Sequence, residues 1–337
     1  IIKPFDAHLH LRAGEMAYFV SKISAGQFSD VIVMPNLQPP IITVANALKY
    51  KADLESYADC NYHMALYLTE STTIEEIELA AIDPNIIGFK LYPLNATTGS
   101  QFGISDIKKV YHLFKRMEEL KVPLLVHGEV TRPDVDIFDR ESVFIFETLS
   151  YIVNIFPELP ITLEHITTKD AVDFVLDTDN VVASITAHHL LMNRNAIFTV
   201  GDKTALNPHN FCLPIAKAEE HRQALIEAAT SGNRKYFGGT DSAPHPLSCK
   251  ESSCGCAGCF TALTAVELYA TAFAKVGKID LLEKFLSFYG RQHYGIDIPN
   301  ETIYIDEKEF TIPKKLEMNG LTPFMAGETL NWKVIGD

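Results

Sequence analysis

The strongest constraint on the fold is a repeated alternation of short apolar runs with longer amphipathic stretches. The apolar runs are rich in β-branched residues and end at polar loops, which is the pattern of buried strands. The amphipathic stretches include residues 105–120, 142–156 and 217–231, which we predict to be helices. The predicted strands are residues 6–11, 31–34, 62–68, 86–91, 124–127, 161–165, 181–186 and 236–240.

Eight strands that alternate with helices are typical of a parallel sheet, and eight parallel strands close into a barrel. We therefore predict the α/β class and a TIM (β/α)8 barrel. The 337 residues fit one such barrel with insertions, and no linker divides the chain. We expect residues 1–337 to form a single domain with a helical and loop extension at its C-terminal end. This extension comprises a helix near residues 262–275 and an extended, loop-like tail interrupted by Pro299, Pro313 and Pro323.

The composition excludes several classes of protein. Hydrophobic residues make up 47% of the chain, but no apolar run approaches the about 18 residues that span a membrane. A net charge of −14 argues against a nucleic-acid partner, so an anionic small molecule must be bound by local cations. Four of the six cysteines crowd between residues 249 and 259, unlike a spaced disulfide framework, which favours a cytoplasmic location.

Two histidines stand two residues apart at the end of the first predicted strand. Residues at this spacing in a strand point the same way, so His8 and His10 should project together. At the C-terminal end of a barrel strand they would face the barrel mouth, where enzymes of this fold carry their catalytic residues. Two imidazoles form half a metal site, but this motif alone fits ordinary polar strand residues equally well.

Further titratable residues end other predicted strands. Lys90, His127 and His165 each close an apolar run, and Asp241 follows the eighth. Burying lysine or aspartate costs free energy unless the group is paired or bound to a metal, so the convergence of all six residues indicates a metal site. A lysine amine is a poor shared ligand. Carbamylation by CO2 would turn it into a carboxylate-like group that can bridge two cations.

Longer motifs carry a family resemblance. HLHLR at 8–12, MPN at 34–36, GFKLYP at 88–93, VHGE at 126–129, EHI at 164–166, GTDSAPH at 239–245 and KESSCGCAGCF at 250–260 resemble dihydroorotases of the bacterial single-function class. The similarity extends from Asp6 to residues 323–329 and so covers nearly the whole chain. The last two motifs are highly specific, whereas the first pair of histidines fits any amidohydrolase of this superfamily.

The resemblance implies a binuclear centre with two Zn²⁺ per chain, bridged by carbamylated Lys90 and a hydroxide. It assigns one zinc to His8, His10, Lys90 and Asp241, and the other to Lys90, His127 and His165. Zinc lowers the pKa of water and polarises a carbonyl. Asp241 is then the catalytic residue that accepts a proton from the nucleophile and passes it to the leaving ring nitrogen. The implied reaction is the reversible cyclisation of N-carbamoyl-L-aspartate to L-dihydroorotate in de novo pyrimidine biosynthesis.

The resemblance also implies the residues that bind the substrate. Taken alone, Arg12 would fit a surface salt bridge, but within this motif its planar guanidinium suits the substrate carboxylate. The family pattern adds Asn36 and His245 to this contact and assigns backbone groups of Leu213 and Ala257 to the ring amides. It makes the loop with Thr97 and Thr98 a lid over the substrate.

Two other clusters receive no role. The spacing of Cys254, Cys256 and Cys259 is compatible with a structural zinc site, but the resemblance places them beside the substrate loop without a metal, and their role stays open. His188 and His189 are the most plausible additional ligands. We interpret them as polar groups with hydrogen bonds, since the family pattern needs only four histidines.

Two alternatives stay open. A hydantoinase or allantoinase would share the metals but not the carboxylate contact. A catalytically dead scaffold barrel would have lost metal ligands, whereas every ligand position is filled here. The sequence leaves the oligomeric state open, and a homodimer is one assembly compatible with it.

Overall fold

A computed structural model of the chain describes residues 1–201, 203–253, 255–316 and 320–335. Eight parallel strands follow one another around one sheet in chain order. They are β1 (Phe5–Leu9), β2 (Asp30–Val33), β3 (Asn61–Tyr67), β4 (Ile86–Leu91), β5 (Leu124–Val126), β6 (Ile161–Leu163), β7 (Val181–Ile185) and β8 (Tyr236–Gly238).

The first and last of these strands meet and close the sheet. The backbone N–H of Asp241 donates to the carbonyl of His8 at 2.8 Å, and that of His10 donates to the carbonyl of Ser242 at 3.0 Å. A parallel bridge between Leu9 and Ser242 continues this contact. The predicted TIM barrel is therefore confirmed.

Helices alternate with the strands, as the sequence pattern predicts. They are α1 (Gly14–Gln27), α2 (Val44–Glu55), α3 (Ile74–Ile82), α4 (Tyr111–Leu120), α5 (Arg140–Phe144), α6 (Ser150–Ile155), α7 (Lys169–Asp177), α8 (Ala187–Leu191), α9 (Glu219–Ala229), α10 (Leu247–Lys250), α11 (Ala265–Lys275) and α12 (Tyr289–Tyr294). Thr186 caps α8 directly after β7, because its hydroxyl accepts a hydrogen bond from the backbone of His189. The first turn of α8 thus holds two histidines next to the barrel mouth.

Two hydrophobic clusters form the core. The smaller one fills the barrel with residues such as Phe5, Ile32 and Phe237, and the larger one lies between the strands and the helices and extends to Leu330 near the C-terminal end. This continuity supports the predicted single domain. Within the described ranges, no helix has both the length and the apolar character that crossing a bilayer requires.

The C-terminal tail differs from the prediction of a loop-like segment. Residues Tyr304–Thr311 (β9) and Thr329–Ile335 (β10) form an antiparallel pair. The pair packs on α11, where the backbone of Val334 donates to Glu267 Oε1 at 3.2 Å. The pattern was hidden because β9 is largely exposed and rich in charge, so that apolar residues do not mark its inner face. The prolines do not prevent pairing because they lie outside both strands.

A bulge in β1 aims the two N-terminal histidines. Phe5 and Ala7 both point into the barrel, so strict alternation would turn His8 and His10 outward. The pairing of β1 with β2 shifts register between Asp6 and Leu9, which inserts an extra residue on the β1 side. Bulges of this kind redirect side chains next to active sites.

Candidate active site

A cavity opens at the C-terminal ends of the barrel strands. It is lined by five of the predicted metal ligands, namely His8, His10, His127, His165 and Asp241. Lys90, the sixth, is fully buried in β4, and its charge acts on both His8 and His165. The sequence had these residues at the ends of five different strands, and the barrel brings them together.

Three of these side chains converge most closely. One ligand atom each from His8, His10 and Asp241 lies within 4.8 Å of the others. His10 Nε2 is 3.0 Å from Asp241 Oδ1, and His8 Nε2 is 3.4 Å from the same oxygen. The ring of His165 lies 4.9 Å from those of both His8 and His127, which continues the row of imidazoles across the cavity.

Buried acceptors hold the imidazoles from behind. His8 Nδ1 is 3.0 Å from Glu164 Oε2, and His10 Nδ1 is 2.8 Å from Asn36 Oδ1. Metal-binding histidines are oriented in this way, with one nitrogen donating to an acceptor and the other facing the metal. Glu164 has no predicted role. Its signal in the sequence is a carboxylate inside an otherwise apolar strand end, directly before His165.

Several polar atoms at the cavity have no hydrogen-bond partner within the described chain: Lys90 Nζ, His8 Nε2 and His165 Nδ1. Burial lowers the pKa of Lys90 to about 8, so its amine loses the proton more readily than an exposed lysine does. Burial, followed by the charge of Lys90, holds the pKa of His165 well below its usual range, which keeps the imidazole neutral as metal binding requires. Cations among these nitrogen donors and Asp241 would give the three nitrogens a partner, so the residues fit a metal centre.

Strained backbone fixes the direction of three site residues. Arg12, His165 and Asp241 have φ angles of 67°, 42° and 44°, in the left-handed region that side chains other than glycine rarely adopt. Asp6 holds the strained segment in place, because its carboxylate accepts hydrogen bonds from the Thr240 hydroxyl at 2.6 Å and the Thr240 backbone at 2.8 Å. Although burial opposes ionisation, the hydrogen bond from His10 and the close approach of His8 keep the pKa of Asp241 well below its usual range.

The predicted substrate-binding residues surround the same cavity. Arg12 Nε donates to the carbonyl of Pro244 at 3.0 Å, and its Nη2 lies 3.0 Å from Nε2 of His245. Within the part of the chain that the structure covers, no carboxylate forms an ion pair with Arg12. The lining includes Arg12, Asn36, Thr97, Thr98, Leu213 and Ala257, whereas His245 stands behind Arg12.

The loop after β4 is seated over one side of the cavity. Asn36 Nδ2 donates to the carbonyl of Thr98 at 3.0 Å, and Thr97 is tied to Ser100 by a backbone-to-hydroxyl bond of 2.8 Å. Asn36 therefore links His10 to the loop. Its predicted contact with a substrate carboxylate stays a prediction.

Known proteins resemble the chain over its full length. No protein-family model matches it. The dihydroorotase of Aromatoleum aromaticum is 47% identical over 343 residues, which cover 99% of this chain and 98% of that protein. A crystal structure of dihydroorotase from Saccharomyces cerevisiae, in complex with 5-fluoroorotic acid, superposes with a TM-score of 0.90 at 33% identity and covers 99% of this chain and 97% of that one.

The chain belongs to the dihydroorotase family. It is therefore a hydrolase that acts on a cyclic amide bond. The L-hydantoinase of Arthrobacter aurescens also superposes, with a TM-score of 0.81, but at 14% identity it shares the fold alone. The hydantoinase alternative is thus not favoured.

Lys250 is a site residue of this dihydroorotase-family chain that sequence reasoning missed. Its buried ammonium donates to the carbonyls of Phe211 at 3.0 Å, Cys256 at 2.7 Å and Gly258 at 2.8 Å. All three of its donors are used, and together they join the two backbone segments that carry Leu213 and Ala257. Of the cysteine cluster, Cys254 lies outside the described residues.

We expect Lys250→Met to loosen these segments. Removing three charge-assisted hydrogen bonds should accelerate amide exchange in residues 255–260 by about tenfold or more, since each bond to a charged group contributes roughly 1.5–3 kcal/mol. Hydrogen–deuterium exchange measured by mass spectrometry tests this. The matched control is Lys275→Met at the exposed end of α11. Equal exchange in the two variants would contradict the role of Lys250.

Proposed function

We propose that the chain catalyses the reversible, zinc-dependent cyclisation of N-carbamoyl-L-aspartate to L-dihydroorotate, a step of de novo pyrimidine biosynthesis. The observation that carries the proposal is the convergence of His8, His10 and Asp241 with the unpartnered Lys90 at one cavity whose edge is formed by Arg12. The relatives named dihydroorotase, aligned over 99% of the chain, support the same reaction.

The proposed cofactor is a pair of Zn²⁺ ions with Lys90 as a carbamylated bridge. His8, His10 and Asp241 would complete the ligands of one ion, and His127 and His165 those of the other. Support comes from the buried nitrogens of Lys90, His8 and His165, which have no hydrogen-bond partner in the described chain. Burial also lowers the pKa of Lys90 to about 8, which favours the uncharged amine that reacts with CO2. Nitrogen and carboxylate donors suit zinc. Zinc supplies Lewis acidity, which lowers the pKa of water and polarises the scissile carbonyl.

Asp241 is the proposed proton carrier. In hydrolysis its carboxylate accepts the proton of the attacking water and donates it to the leaving ring nitrogen, and ring closure runs these transfers backwards. The hydrogen bond from His10 and the nearby imidazole of His8 support this role, because they keep the carboxylate ionised and ready to accept.

Arg12 is the proposed contact for the substrate carboxylate. Its guanidinium is oriented by Pro244 and His245 and has no acidic partner in the described structure, which leaves charge available for an anion. Such a local cation is needed on a chain with a net charge of −14. We further propose that Asn36 and His245 assist this contact, that backbone groups of Leu213 and Ala257 meet the ring amides, and that the Thr97–Thr98 loop closes over the substrate.

The setting of the enzyme is inferred from its cysteines. Cys60, Cys212 and Cys259 are buried free thiols, which supports a reducing, cytoplasmic location. The relatives named dihydroorotase support a small-molecule substrate. A homodimer remains a hypothesis.

An assay of dihydroorotate hydrolysis before and after chelation tests the function. We expect turnover of dihydroorotate, its loss when zinc is removed, and its return when Zn²⁺ is added. Hydantoin and allantoin are the control substrates, since they carry no matching carboxylate for Arg12. Turnover of either without dihydroorotate would overturn the proposal.

Arg12→Ala should reduce kcat/KM for dihydroorotate by the equivalent of roughly 2–5 kcal/mol, as expected when a buried charge-assisted contact is lost. Its zinc content should stay unchanged, because Arg12 is not a proposed ligand. Steady-state kinetics together with metal analysis check both statements. Normal turnover in this variant would refute the carboxylate contact.

Asp241→Asn separates proton transfer from metal binding. The amide preserves the shape and one oxygen, but it cannot carry the proton. The variant should retain most of its zinc and lose on the order of 10²–10⁴-fold in rate in both directions, the usual contribution of a positioned acid–base group. Zinc-loaded protein with near-normal turnover would assign the proton transfer to another group.

A further inference from the structure

A second group of metal-ligating side chains lies outside the active-site cavity. One ring nitrogen each of His188 and His189 and the sulfur of Cys212 lie within 4.8 Å of one another, and all three residues are buried. None of them lines the cavity that holds the proposed catalytic centre. The two histidines come from the first turn of α8, and Cys212 precedes Leu213.

His188 is the unusual member of this group. Both of its ring nitrogens are buried and have no hydrogen-bond partner in the described ranges. Leaving a buried donor or acceptor unsatisfied costs about 1–3 kcal/mol, so an imidazole buried in this way calls for a ligand. The interpretation of both histidines as hydrogen-bonded polar groups therefore holds for His189 but not for His188.

His189 is already oriented as metal-binding histidines are. Its Nδ1 lies 2.8 Å from the hydroxyl of Thr186, and its Nε2 lies 3.5 Å from Cys212 Sγ and 3.0 Å from the carbonyl of Pro214. When Nδ1–H donates to Thr186, the lone pair of Nε2 faces the sulfur. The same nitrogen can instead donate to Pro214, so a metal would select one of two tautomers.

The surroundings provide a route of entry. A groove at the surface is lined by Leu191 and Met192, which follow the histidines in α8, and by His209 and Asn210, which precede Cys212. Phe324 also lines it, and its ring lies 6.0 Å from that of His188. The groove thus ends close to the buried group.

We propose that His188, His189 and Cys212 bind a thiophilic divalent cation of the zinc class at a structural site, separate from the catalytic centre. Tetrahedral zinc, with bonds of about 2.0–2.3 Å, holds its ligand atoms roughly 3.3–3.8 Å apart, so the side chains need to close by at most about 1.5 Å. Binding replaces the thiol proton of Cys212, which is released to solvent. The hydrogen bond with Cys259, followed by burial, raises the pKa of Cys212 well above its usual range, so its thiol is protonated until a metal binds. A bound ion would join α8 to the segment that carries Leu213.

Cobalt absorption tests this site. Enzyme freed of metal by chelation and reconstituted with Co²⁺ should show a thiolate-to-cobalt charge-transfer band in the near ultraviolet, because none of the proposed catalytic ligands contains sulfur. Metal analysis should find about one additional ion per chain. Cys212→Ser and His188→Gln should each abolish the band and the additional ion. Cys249→Ser and Cys256→Ser are the matched controls and should keep both.

The outcomes separate the possibilities. No band in the unaltered enzyme, or a band that survives in Cys212→Ser, overturns the proposal. Loss of the band in Cys256→Ser assigns the metal to the cysteine-rich loop and overturns it too. If Cys212→Ser does not fold, His188→Gln decides alone, because it removes a proposed ligand and leaves the thiol of Cys212 in place.

Discussion

The burial of Lys90 is the constraint on which the rest of the site depends. An amine fully enclosed in β4, with no hydrogen-bond partner among the described residues, is costly in water-free surroundings. The lowered pKa of Lys90 reduces that cost, and the proposed conversion to a metal-bound carbamate would remove it. The neighbouring imidazoles obey the same constraint, since burial lowers the pKa of His10 to about 4. Burial thus keeps His10 and His165 neutral beside an ionised Asp241, which is the state that binding of a dication would require.

The barrel orients these side chains toward its mouth, and the local backbone is strained as a result. The bulge in β1 turns two histidines toward the mouth, and left-handed backbone at His165 and Asp241 turns the ends of β6 and the last strand the same way. Asp6 and Glu164 anchor this arrangement from positions below the cavity. The strained backbone thus lowers stability but fixes the positions of the proposed ligands, as in many active sites.

Much of the fold was readable from the sequence, because the barrel strands are apolar and end at polar residues. All eight were predicted within about two residues of their observed ends, a typical uncertainty for boundaries. Lys90, His127 and His165 were selected as candidate ligands for the same reason. Other features depend on contacts between distant parts of the chain. Glu164 contacts His8 although the two residues are 156 positions apart in the sequence, and no local sequence pattern indicates such a pair.

The other differences have equally physical causes. The pairing of β9 with β10 escaped prediction because exposed, charged strands lack an apolar face. The role of Lys250 depends on three carbonyl groups whose directions only the folded loop determines. Because of the bulge in β1, simple alternation gives the wrong direction for His8 and His10. Both histidines line the cavity at the barrel mouth, as predicted, but spacing within a regular strand does not explain why.

The central claim is that Lys90 becomes a metal-bridging carbamate, and ¹³C NMR of enzyme reconstituted with ¹³C-bicarbonate and Zn²⁺ tests it most directly. The account predicts one carbamate carbon per chain, two zinc ions at the catalytic centre, and loss of the carbamate signal in Lys90→Ala. Fully active, zinc-loaded enzyme with an unmodified Lys90 would contradict it.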